Sequence, residues 1–92
     1  MPALERDEAE RSIGRALIDE WDPLGVHDRP GPHTEYVRYV PQLFGLLARG
    51  GSDVQVARYL HHIEQEDFGG PVSPTRDLSG VLRTLRAIER RI

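Results

Sequence analysis

Gly50-Gly51-Ser52-Asp53-Val54-Gln55-Val56-Ala57-Arg58-Tyr59-Leu60-His61-His62-Ile63 carries the clearest helix signals of the chain. Ser52 with Gln55 three positions later is a capping box, in which each residue satisfies a backbone N–H of the other's turn. Asp53 adds negative charge in the first turn, where the helix dipole favours it. Val56, Ala57, Leu60 and Ile63 recur at helical spacing, and Phe68 closes the stripe before Gly69-Gly70-Pro71. Gly50-Gly51 offers the left-handed residue on which a preceding helix ends. One helix therefore stops and another starts within a few residues, a joint that makes antiparallel neighbours.

Outward from this joint the same periodicity repeats. Towards the N-terminus, residues 34–49 read as a helix capped by Thr34, with Tyr36, Val40, Leu43, Phe44 and Leu47 as its stripe and Tyr39 near one edge. Pro41 inside it predicts a kink or a split. Towards the C-terminus, Ser73 reads as an N-cap and Pro74 as the first helical residue, followed by a seam of Leu78, Val81, Leu82, Leu85, Ile88 and Ile92. Residues 3–21 complete the set, with Leu4, Ala9, Ile13, Leu17 and Trp21 spaced by four or five and Ala16 and Ile18 widening the face. Gly14 weakens that helix by about 1 kcal/mol relative to alanine. It should stop at Trp21 or Asp22, because the residue before Pro23 is pushed out of the α region. The expectation is an all-α chain: one domain over residues 1–92, a compact bundle of about four antiparallel helices.

Between the first two helices, residues 22–33 hold three prolines and two glycines, and Pro30-Gly31 suits the centre of a type II turn. Leu24 and Val26 give this loop apolar anchors, so it reads as an ordered strap.

Composition narrows the function classes. The chain has 92 residues, too few for two independent cores. It has no cysteine, which excludes disulfides, thiol catalysis and sulfur-ligated zinc. Its net charge is −3 with all 12 basic residues arginine, which argues against broad binding to a phosphate backbone. The acidic start without an apolar run predicts no signal peptide, and no stretch approaches the roughly 20 apolar residues of a membrane span. A cytoplasmic protein is expected, with no nucleic-acid and no membrane partner.

Chemistry-bearing residues are present without a catalytic pattern. His27 and His33 flank the Pro-Gly turn, near Asp28 and Glu35. His61 and His62 point about 100° apart on a helix, so at most one faces a given site. His62 and Glu66 stand four apart, a spacing that suits a shared metal or a solvated pair. Ser12, Ser52, Ser73 and Ser79 lie in no nucleophile elbow, and Gly50-Gly51 and Gly69-Gly70 terminate helices rather than cradle phosphate. No catalytic residue, cofactor or metal is assigned.

Residues 46–60, Leu-Leu-Ala-Arg-Gly-Gly-Ser-Asp-Val-Gln-Val-Ala-Arg-Tyr-Leu, resemble the first half of a LuxR-type helix-turn-helix. That family then needs a turn and a basic recognition helix. Here the helix runs on through Glu64, Glu66 and Asp67, acids that the major groove repels. A second resemblance spans roughly residues 13–69. Trp21-Asp22-Pro23-x-Gly25-Val26, Glu35-Tyr36-x-x-Tyr39-Val40-Pro41 and Tyr59-Leu60-x-x-Ile63-Glu64 are similar to a family of short, uncharacterised bacterial proteins. It implies a compact helical fold and no substrate or cofactor. Where that pattern carries an acid after the Glu-Tyr pair, this chain has Val37.

The leading expectation is a non-enzymatic protein-binding or regulatory domain. An immunity-type antagonist of a basic partner is its concrete form, suggested by the acids at 5–10 and 64–67. Its candidate binding surface is Trp21, Asp22, Asp28, Glu35, Tyr36 and Tyr39, because aromatic side chains anchor interfaces. The alternatives are a small metal- or ligand-binding enzyme around residues 22–36 and His61-His62, a helix-turn-helix-like DNA-binding regulator, and a module that self-associates through the seam of helix four.

Overall fold

The structure is a computed structural model, and it describes residues 4–22, 34, 36–67 and 78–92. Among these the chain is all-α, with four helices and no strand. Helix α1 spans Arg6–Ala16 and runs directly into a π-helical turn, Leu17–Trp21. A short 3-10 turn, Val37–Tyr39, leads into α2, Val40–Ala48. Helices α3, Asp53–Glu66, and α4, Ser79–Glu89, complete the bundle. α1 packs on α2 and α4, and α3 closes the bundle against α2 and α4.

The joint between α2 and α3 forms as its residues require. The Gly51 N–H donates to the Leu46 carbonyl at 2.7 Å and the Gly50 N–H to that of Leu47 at 3.1 Å, a Schellman motif. Gly50 takes φ +76°, and a Cβ on Gly51 would sit 2.8 Å from the Leu46 carbonyl oxygen. Both glycines are thus demanded by geometry. Ser52 and Gln55 then close both arms of the capping box, at 2.8 and 3.2 Å. Arg86 of α4 clamps the same joint, donating to the Gly51 carbonyl and to Asp53 Oδ1.

Of the kink or split expected at Pro41, the split is what forms. Pro41 lies in the first turn of α2, where its missing N–H has no partner to lose, and the preceding turn is 3-10. Thr34 consequently caps nothing in α2; its carbonyl accepts from the Val37 N–H at 3.3 Å. The strap at 23–33, with Asp28 and both of its histidines, lies outside the described residues. So do Glu35, Phe68 and the expected cap Ser73-Pro74.

The core joins Ile13, Leu17 and Trp21 to Leu43, Leu47, Leu60, Ile63 and Leu85, all nearly inaccessible. The seam of α4 is part of it: Val81, Leu85 and Ile88 are buried, with Leu82 and Ile92 packed against the cluster. That corrects the expectation of self-association through helix four, because the seam is spent inside its own bundle.

Candidate functional site

The sequence-selected aromatic residues fold inward. Trp21 and Tyr36 are 1% exposed and Tyr39 is 6% exposed, so none presents a side chain for a partner to cover. The π turn explains the first. Its Asp22 N–H reaches back to the Leu17 carbonyl at 2.8 Å, a five-residue span that carries Trp21 onto the core. Asp22 then takes φ +36° and ψ +57°, a left-handed conformation that aspartate tolerates better than most residues.

Each aromatic tip donates to a carboxylate. Trp21 Nε1–H donates to Glu64 Oε1 at 2.7 Å, the Tyr36 hydroxyl to Asp22 Oδ1 at 2.8 Å, and the Tyr39 hydroxyl to Asp67 Oδ2 at 2.9 Å. The Trp21 and Tyr36 rings pack at 5.3 Å between centroids. These bonds tie the end of α1 and the 3-10 turn to one another and to α3. Burial, then the bond to Asp67 and that residue's charge, push the Tyr39 phenol above its usual value; burial and Asp67 do the same to Tyr59.

Glu64 is the residue that sequence reasoning missed. It is 1% exposed, and its second oxygen lies 3.3 Å from His61 Nδ1. The signal was its register: Glu64 falls four positions after Leu60 and eight after Val56, on the buried face of α3. Its burial also removes it from the acidic surface expected at 64–67. His62 is exposed, so the two histidines do diverge. Among the described residues no group of three or more His, Asp or Glu is arranged to hold a metal ion. No described helix is long and apolar enough to cross a membrane.

Open surface lies elsewhere. A groove of about 800 Å³ runs between α1 and residues 36–41, with Gly14, Ile18, Val37, Val40 and Pro41 as apolar lining. Val37 is 57% exposed, and it and Val54 are the large apolar side chains left in water among the described residues. Arg11, Arg15 and Asp19 form the outer ridge of α1, which also borders a second groove of about 570 Å³ against α4. Neither Arg15 nor Asp19 makes an ion pair with a described residue. Further along α1, Glu5, Asp7 and Glu8 are exposed, whereas Glu10 pairs with Arg6 at 3.6 Å.

No protein-family model, curated protein or solved structure matches this chain.

Proposed function

We propose that this chain is a non-enzymatic protein-binding domain whose docking surface is the groove between α1 and residues 36–41. The observation that carries it is the exposed Val37 beside an apolar groove of about 800 Å³, where the other large apolar side chains among the described residues are almost all covered. Three described carboxylates serve as structural acceptors. Asp22, Glu64 and Asp67 each accept from an aromatic donor. The resemblance of residues 13–69 to a helical family without assigned activity adds no chemistry to this reading.

A charge introduced into the groove tests it. Val37→Arg leaves the core untouched, because the side chain is exposed, but places a cation where a partner's apolar surface would lie. Immobilised wild-type protein should retain a binding protein that the Val37→Arg protein does not. Equal capture by both would overturn the groove as the docking surface.

A second reading assigns the exposed acids Glu5, Asp7 and Glu8 a role as the contact for a basic partner, which is the antagonist form of the same function. Charge reversal at all three positions should then abolish a salt-sensitive association that Val37→Arg leaves intact.

A further inference from the structure

We propose that the occupant of the groove is a second copy of this chain, with α1 of each protomer lying antiparallel in the groove of the other. This dimer rests on the docking role proposed above and names the partner.

The order of charges along the ridge selects that occupant. Arg15 and Asp19 stand one turn apart on the exposed side of α1 and its π extension, and neither has an ion-pair partner among the described residues. A uniformly basic partner would meet Arg11 and Arg15 with like charge, and a uniformly acidic one would meet Asp19 in the same way. A segment with both signs in reversed order satisfies the ridge, and α1 itself has that order when it runs the opposite way. A two-fold axis passing beside Leu17 sets Arg15 against Asp19 of the second copy and Asp19 against Arg15 of the second copy. Such an isologous contact closes at two molecules.

The same rotation fits the remaining side chains. Ile18 lies one residue from the axis and meets its own counterpart. Val37, on the far wall of the groove, is covered by the incoming helix, and Gly14 leaves that helix room to approach. Glu10 also lines the groove, where Arg6 pairs with it at 3.6 Å, and the Glu20 carboxylate lies over Gly80 of α4.

The test is a charge exchange read by analytical ultracentrifugation. Wild type should dimerise reversibly, and Arg15→Asp and Asp19→Arg should each raise the dimer dissociation constant by about tenfold or more, because each places like charges at both contacts. Circular dichroism should be unchanged for both, since both positions are exposed. Mixing the two single variants should restore dimers, now heterodimers with both contacts complementary, and the double variant should dimerise alone. Wild type that stays monomeric up to about 1 mM would overturn the dimer. Single reversals that associate as wild type does, or a mixture that gains nothing, would overturn the antiparallel seam. Should the dimer fail while Val37→Arg still removes a captured protein, the docking role stands with a different partner; should both fail, the groove has neither role.

Discussion

At the scale of single residues, the aromatic side chains are braces. Trp21, with its N–H on a fully buried carboxylate, has the most to lose: Trp21→Phe keeps a ring in the core but withdraws a hydrogen bond from Glu64. A buried acceptor deprived of a donor costs about 1–3 kcal/mol, which denaturant unfolding should register. Tyr39 makes a prediction about pH. Its phenol titrates above the usual value near 10 in the folded chain, so the unfolded chain loses that proton first. The associated stability is whole below pH 10 and drains away as pH rises through the folded value. Tyr39→Phe should therefore flatten the alkaline limb of a stability–pH curve relative to wild type. Trp21 and Tyr36 were legible as members of their apolar stripes, and both are buried. Not legible were the carboxylates that hold their polar tips, because Glu64 and Asp22 lie 43 and 14 residues away in sequence.

At the scale of elements, joints read better than interiors. The Gly50-Gly51-Ser52 joint was legible in full, because Schellman and capping-box chemistry are local and need no tertiary knowledge. Gly50→Ala should cost about 1 kcal/mol for its left-handed φ. Gly51→Ala should cost more, since its Cβ would strike the Leu46 backbone oxygen at 2.8 Å. Gly14 behaves oppositely. A Cβ there meets Val40 Cγ2 at an ordinary 3.7 Å, so Gly14→Ala should raise the unfolding free energy of the monomer by about 0.5–1 kcal/mol. At Pro41 the split forms and the kink does not: a 3-10 turn feeds a shorter helix, a choice that the periodic stripe from Tyr36 onward leaves open.

For the whole molecule, the ends of the described chain meet. The Leu4 N–H donates to the Arg91 carbonyl, and Arg86 ties α4 to the α2–α3 joint while pairing with Glu89 at 2.7 Å. Helix α4 is therefore integral, and a chain ending before Ser79 should lose cooperative thermal unfolding rather than merely lose an appendage. The all-α bundle was legible from four periodic stripes. The groove was not, because Ile18 and Val37 lie far apart in sequence, and their proximity depends on how the turn at 37–39 sets α2 against α1.

The π turn at Leu17–Trp21 also bears on descent. Such a turn holds about one residue more than an α-helical turn needs. A relative one residue shorter between Ala16 and Asp22 would wind as plain α-helix, and the side chain at the place of Trp21 would swing by about 100°. It would have no tryptophan to offer Glu64. In such a lineage, the length of this turn and the presence of an acid at position 64 should change together.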